Sequence, residues 1–331
     1  IASASDYEQR LNEDGAVIAD FAVRSTMIQQ QVTRLGKKAG GQAVIDPALL
    51  ELVTALVEKP HAVLGNFDPA FLKVPQEALI SSMRDHQKYF HVVDGKGALL
   101  PAFITVSNIR SRTPARVRTG NERVLNARLA DAKFFWETDA IQPLSARTKA
   151  LENVLFHHAL GSLAGKTRRI EKLSAKIAQA VGAPAAACVR AASLCKADLV
   201  SGMVGEFPDL QGIMGRYLAR HDGEPAAVAR AIEEHYLPRY AGGALPQSPA
   251  GQVLALADRL DSLVGLFVAG EAPPGGKDPY GLRRAALGVI RILVEKKLDL
   301  DIAVLVEDTA DGYAADGLVS GERAKSQRTT F

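Results

Sequence analysis

The sequence predicts an α+β N-terminal part followed by an all-α domain, with helix predominating overall. Three observations carry this. Two β segments around a glycine-rich turn form a hairpin signal at residues 89–107. Beyond about Ala146 strand signals nearly vanish. In that later part apolar residues recur at helical spacing, as in Ile170, Leu173, Ile177 and Val181. A length of 331 residues suits roughly two domains, and the joint is expected near residues 143–147.

Taken in order, residues 17–35 have helical composition, without proline and with one apolar face, and Gly40-Gly41 ends the run. Asp46-Pro47 reads as an N-cap followed by a helix-starting proline, with Leu49, Leu50, Val53, Leu56 and Val57 as the buried stripe. Pro75 opens a helix running to about His86. The hairpin strands follow at 89–93 and 98–107, joined by Asp94-Gly95-Lys96-Gly97. A helix is expected from about Asn121. In the second part Val253, Leu254, Ala257, Leu260, Val264 and Phe267 mark one buried face, and Leu287, Ile290, Val294 and Leu298 another. Gly- and Pro-bearing joints at 182–184, 242–249 and 270–278 separate the helices.

Composition excludes several classes. With 47% hydrophobic and 23% charged residues the chain is globular rather than disordered or rod-like. No apolar run reaches the roughly 18–20 residues that cross a bilayer. Cys188 and Cys195 are seven apart in an expected helix, too far for an easy disulfide, and read as buried small hydrophobes in a cytosolic, cytoplasmic chain. The chain begins at Ile1 without Met or a signal-peptide pattern and ends in a polar run from Ser320, as a central fragment of something longer would.

Net charge is only +3, yet between Ser107 and Arg128 stand six arginines and one acid, Glu122. Arg110, Arg112, Arg116 and Arg118 lack acids within their own stretch and are spaced through Pro114 as in a loop. Guanidinium forks on such a loop suit phosphate oxygens. Arg123 and Arg128 fall in the following helix near Glu122 and Asp131, where packing within the domain competes. Lys166, Arg168, Arg169, Lys172 and Lys176 form a second basic cluster opening the helical domain.

Common catalytic signatures are missing: no Gly-x-Ser-x-Gly, no Walker loop, no Gly-x-Gly-x-x-Gly. Gly275-Gly276-Lys277 reads as a flexible turn, because Pro279 stands where a helix should continue. His157 and His158, if helical, point about 100° apart and do not share a metal easily. His221-Asp222 precedes Gly223 and reads as a helix-end turn. The best candidate for buried chemistry is Ala257-Asp258-Arg259-Leu260-Asp261, two carboxylates at i, i+3 inside an apolar helix. Buried carboxylates need a metal, a cation or backbone donors.

That segment resembles the last aspartate motif of the histidine–aspartate (HD) metal phosphohydrolase superfamily, an all-helical fold. The resemblance puts the first metal histidine near Lys166 and the His-Asp pair near Lys196 and Asp198. Both histidines are lost, and lysines stand there instead. Ammonium groups cannot ligate a divalent ion but can neutralise Asp258 and Asp261. The resemblance therefore implies a metal-free helical descendant, with Lys166, Lys196, Asp198, Asp258 and Asp261 as the degenerate site.

A closer resemblance spans residues 25–306. Phe71-Leu72-x-Val74-Pro75, Met83-Arg84-Asp85-His86-Gln87-Lys88-Tyr89-Phe90 and Leu100-Pro101-x-Phe103-Ile104 are similar to the β subunit of bacterial glycyl-tRNA synthetase. So are Gly120-Asn121-Glu122-Arg123, Glu206-Phe207-Pro208-Asp209-Leu210 and Lys277-Asp278-Pro279-Tyr280-Gly281-Leu282-Arg283-Arg284, in family order. The resemblance implies residues 1–146 as a tRNA- or partner-binding α+β domain, 147–306 as the HD-like domain, and 307–331 as a polar tail or linker. It implies a ligase subunit that grips tRNA(Gly) in a cytoplasmic α2β2 assembly. ATP and Mg are then used on a separate α subunit, and this chain binds no cofactor, metal or membrane. Neither the His-x-Gly-His nor the Lys-Met-Ser-Lys-Ser signature is present, and no ATP-orienting set of residues can be assembled, so no catalytic residue is assigned. The other readings are an autonomous HD-type phosphohydrolase and a purely structural scaffold for the partner subunit.

Overall fold

The computed structural model describes residues 3–273 and 275–318; the expected polar run from Ser320 to Phe331 lies outside them. The chain divides into two compact units, Ile1–Trp136 and Glu137–Phe331. The division falls ahead of the joint expected at 143–147.

The first unit holds α1 (Tyr7–Glu13), α2 (Phe21–Lys38), α3 (Pro47–Leu56) and α4 (Gln76–Ser81). It also holds β1 (Gln42–Ala43), β2 (His61–Asn66), β3 (Phe90–Val93) and β4 (Leu99–Ser107), and most of α5 (Pro114–Asp139). The strands form one antiparallel sheet in the order β1-β3-β4-β2. The hairpin is as expected: the Asp94 carboxylate accepts from the N–H groups of Lys96 (2.8 Å) and Ala98 (2.9 Å) and fixes the turn. Asp46 caps α3 by accepting from Leu49 N–H at 2.9 Å, with Pro47 in the first turn. Ile28 and Val32 of α2 and Leu49 and Val53 of α3 share one core with Phe90, Val92, Ala102 and Ile104 of the sheet. Leu56, expected in that stripe, is exposed.

Strand β2 was not legible in the sequence. Its residues do not alternate in polarity, and it owes its conformation to β4, with which all six of its residues pair. Gly65 is needed there, because a Cβ would lie 2.4 Å from the ring of Phe103. That ring stacks on Tyr89 at 4.8 Å, and the Tyr89 hydroxyl donates to Asn121 of α5 at 2.6 Å. The helix opened by Pro75 runs through α4 into a π-helical turn, Ser82–His86, ending where expected.

The second unit is almost wholly helical, in agreement with the predicted class. Its helices are α6 (Leu144–Arg147), α7 (Leu163–Val181), α8 (Ala185–Leu194), α9 (Gly202–Glu206) and α10 (Ile213–His221). They continue with α11 (Ala226–Glu234), α12 (Pro249–Val268), α13 (Leu282–Glu295) and α14 (Ile302–Ala315). A short ribbon, β5 (Leu155–His157) and β6 (Gly161–Ser162), precedes α7. Helix α12 is the axis of the unit, packing against α7, α8, α11, α13 and α14. Its own residues are buried all round, as a central helix requires.

Four expectations are corrected. Helix α5 begins at Pro114 rather than near Asn121, since proline is compatible with a first helical turn. Arg116 and Arg118 are therefore helical, while Arg110 and Arg112 stay in the loop. Residues 302–315 form α14, with Leu305, Val306, Ala310 and Tyr313 buried, so part of the supposed tail belongs to the helical unit. On α13 the buried residues are Leu282, Val289, Ile292 and Leu293, and the expected face of Leu287, Ile290 and Val294 is exposed. A helix apolar on two faces does not disclose by spacing which one packs. His157 and His158 lie in β5 and the turn after it, not on a helix, and their ring centroids are 4.1 Å apart.

Candidate functional site

Asp258 and Asp261 project from the middle of α12 into a closed set of ion pairs. The Lys166 ammonium, from the first turn of α7, lies 3.1 Å from Asp258 Oδ1 and 3.1 Å from Asp261 Oδ2. It also donates to Ser262 Oγ at 2.7 Å. Lys196 reaches Asp258 Oδ2 at 2.9 Å and the Nε2 of His235 at 2.9 Å. His235 Nδ1 donates to the Ile232 carbonyl at 2.5 Å, so Nε2 is the lone-pair side that accepts from the ammonium. Arg169 pairs with Asp261 Oδ1 at 2.7 Å and with Asp316 at 3.2 Å, and lies 4.0 Å over the ring of Tyr313. The Tyr313 hydroxyl donates to Asp261 Oδ2 at 3.0 Å.

The network sets the protonation of its members. Burial alone would raise the Asp258 carboxyl, but the cations of Lys166 and Lys196 hold it well below the usual carboxylate range. Burial, aided by Lys196, pushes His235 far below its ordinary value, so its ring is neutral. The Lys166 contact to Asp258 Oδ1 is an ion pair without hydrogen-bond geometry, which leaves that oxygen short of a donor. Arg259 turns the other way: it donates to the carbonyls of His235 (2.8 Å), Tyr236 (3.1 Å) and Pro238 (3.1 Å), closing the C-terminal end of α11.

Lys166, Lys196, Asp258 and Asp261 are thus brought together, each ammonium within 3.1 Å of a carboxylate oxygen. Asp198 is not in that set of contacts. Its Oδ2 accepts from the N–H groups of Gly212 (2.6 Å) and Gly215 (3.0 Å), and burial pushes it up to about 6 despite those donors. The arrangement ties α7, the Lys196 turn, α11, α12 and α14 together. His235 and Tyr313 were missed. Tyr313 had a usable signal, the apolar spacing of Leu305, Val306, Ala310 and Tyr313 behind an Asp301 cap.

Among the described residues one trio has metal-ligand character: His157, His158 and Glu271, whose donor atoms lie within 4.8 Å of one another. His157 Nδ1 accepts from Ala159 N–H at 3.2 Å, which places the ring proton on Nε2, 3.5 Å from Glu271. A metal at Nε2 would have to displace that proton and turn the ring.

The basic clusters separate by burial. Lys166 and Arg169 are buried in the ion network, which corrects the expectation that they face phosphate at the surface. Arg168 and Lys172 are exposed on α7, and Lys176 pairs with Asp308. Arg110, Arg112, Arg116 and Arg118 are all exposed. Glu122 takes Arg118 at 3.8 Å and accepts from Asn66 N–H at 3.0 Å, rather than pairing with Arg123. Among the described residues Arg110, Arg112, Arg116, Arg123 and Arg128 have no carboxylate partner. His221-Asp222 closes α10, and Asp222 accepts from Leu144 N–H at 2.6 Å, consistent with a helix-end turn.

An α+β unit bearing unpaired arginines, next in sequence to a helical unit closed by lysine–aspartate pairs, falls by comparison among the subunits of aminoacyl-tRNA synthetases. The chain belongs to the glycyl-tRNA synthetase β subunit family, whose profile matches residues 1–331. It is similar to the glycine–tRNA ligase β subunit of Chromohalobacter salexigens, 52% identical over 323 residues that are 96% of this chain and 47% of the relative. The corresponding subunit of Hahella chejuensis is 51% identical over 307 residues, 93% of this chain and 44% of the relative. That of Pseudomonas putida is 48% identical over 321 residues, 97% of this chain and 47% of the relative. The chain therefore spans about half the length of the curated relatives it matches. No helix among the described residues is long and apolar enough to cross a membrane.

Proposed function

We propose that this chain is the part of a glycine–tRNA ligase β subunit that grips tRNA(Gly) and supports assembly with a separate α subunit in an α2β2 enzyme. Glycine, ATP and Mg would be handled on the α subunit, and this chain would contribute no catalytic group and no cofactor. The observation that carries the reading is the exposed set Arg110, Arg112, Arg116 and Arg118, three of them without an acidic partner. Guanidinium groups left uncommitted at a loop-to-helix junction suit backbone phosphate, a contact that orients RNA without reading its sequence.

The test is tRNA binding by the chain with these four arginines replaced by alanine. Affinity should fall across tRNA sequences, and the salt slope should flatten by roughly 0.7–0.9 per lost phosphate contact. Unchanged affinity and slope in a normally folded variant would refute the assignment. In the same reading, glycine-dependent pyrophosphate exchange by the chain freed of α subunit should be absent.

The Lys166–Asp258–Lys196 contacts favour, as a second element, a helical unit descended from a metal phosphohydrolase and no longer binding its metal. Tightly held zinc, manganese or iron at one per chain would overturn that, and would bring back the phosphohydrolase alternative.

A further inference from the structure

Between α10 and α11 lies a cavity of about 370 Å³ whose walls carry Arg216, Arg220, Arg230 and Arg239. It is separate from the ion network. Two of these arginines are held in place by the protein. Arg216 pairs with Glu233 at 2.6 Å. Arg239 donates to the carbonyls of Asp209 (3.2 Å) and Gln211 (2.8 Å).

The other two are uncommitted: Arg220 and Arg230 are exposed and have no carboxylate partner among the described residues. Of the two acids in the walls, Glu233 is taken by Arg216, and Glu234 is buried and accepts from Ser248 N–H (2.8 Å) and its hydroxyl (2.6 Å). Four guanidiniums against two spent carboxylates leave the cavity cationic. Ile213, Ala229 and Leu237 also line it, so apolar surface lies beside the charges.

We infer that this cavity binds a phosphate group attached to an organic body, with Arg220 and Arg230 as the forks that take the phosphate oxygens. Arg220 and Arg230 line the cavity without a counter-ion of their own among the described residues, and a guanidinium pairs with phosphate through two parallel hydrogen bonds. A volume near the lower end for small-molecule sites, with apolar residues in the lining, suits a group of mononucleotide size rather than a bare ion. The phosphate can be that of a free nucleoside monophosphate or one carried by an RNA chain. Either source goes beyond the arginine set of residues 110–118, which lies in the other unit, so the two proposals fail independently.

The experiment uses the full chain and adenosine monophosphate, adenosine and tRNA as probes, with calorimetry for the small ligands and filter binding for the RNA. The variants are Arg220→Ala with Arg230→Ala, and Arg220→Lys with Arg230→Lys, which keeps the charge and removes the forks. Both side chains being exposed, the melting temperature should not move; should the alanine pair unfold, the lysine pair carries the test. Saturable binding of adenosine monophosphate but not adenosine, weakened about tenfold or more by the substitutions, supports a free nucleotide. Weakened tRNA binding without any nucleotide binding supports a phosphate borne by RNA. Adenosine binding as well as its monophosphate, or both phosphate sources binding the variants unchanged, overturns the inference.

Discussion

Lys196 and Asp258 meet at 2.9 Å across 62 residues of sequence, and the same ammonium leans 4.4 Å over the ring of Tyr236. Both partners are largely buried. Replacing Asp258 by alanine removes the carboxylate that Lys196 hydrogen-bonds and leaves the neutral His235 as its side-chain hydrogen-bond partner. Breaking a buried pair by removing one partner costs about 3–5 kcal/mol. Thermal or denaturant unfolding of Asp258→Ala should show a loss of that order, and Lys196→Met combined with Asp258→Leu should recover a large part of it. An unchanged midpoint for Asp258→Ala would mean that the pair does not stabilise the unit.

Asp198 makes a distinct pH dependence. Burial raises its carboxyl from 3.8 to about 6, so between those values the folded chain holds a proton that the unfolded chain has released. This contribution to stability is complete below the unfolded value and is lost as pH rises through about 6. His235, held far below 6.5, acts in the opposite sense, because the unfolded imidazole takes up a proton that the folded one refuses. The two separate by substitution. Asp198→Asn keeps an acceptor for Gly212 and Gly215 and removes the carboxyl, so its stability relative to the parent should rise between pH 4 and 7. A constant difference over that range would contradict the assignment.

Gly265 is fixed by Tyr313. A Cβ at position 265 would lie 2.1 Å from the Tyr313 hydroxyl, and that hydroxyl is held by Asp261. Gly265→Ala should therefore push α14 from α12 and destabilise by about 1–3 kcal/mol, the usual range for overpacking. Tyr313→Phe should lose about 1.5–3 kcal/mol, the worth of a hydrogen bond to a charged group. Urea melts of the two variants measure both.

Cys188 and Cys195 are buried and free, as the sequence suggested. Burial pushes the Cys195 thiol up to about 12 and raises Cys188 as well. Neither should react with a thiol reagent in the native chain at neutral pH, since the thiolate is the reactive form. Both should react on unfolding, and a native-state titration of less than one thiol per chain checks this.

Legible in the chain alone were the order of the two parts, the hairpin with its Asp94 turn and the Asp46 cap, while the family was read from motif blocks such as residues 83–90 and 277–284. The order, the hairpin and the cap rest on local physics: turn residues, caps and apolar periodicity act within a few positions of themselves. Asp258 and Asp261 inside an apolar helix announced the need for a cation, and the HD resemblance, rather than any local pattern, pointed to Lys166 and Lys196 beside them. The rest depended on contacts between distant parts of the chain. Strand β2 exists because β4 lies beside it, and α13 buries Val289 and Ile292 rather than Ile290 because α12 and its neighbours accept that face. Arg169 belongs to the interior and Arg168, one residue earlier, to the surface, a choice made by Asp261 and Tyr313 from 92 and 144 positions away. Burial and pairing of charge depend on what the fold brings across such distances, and no local pattern in the chain encodes it.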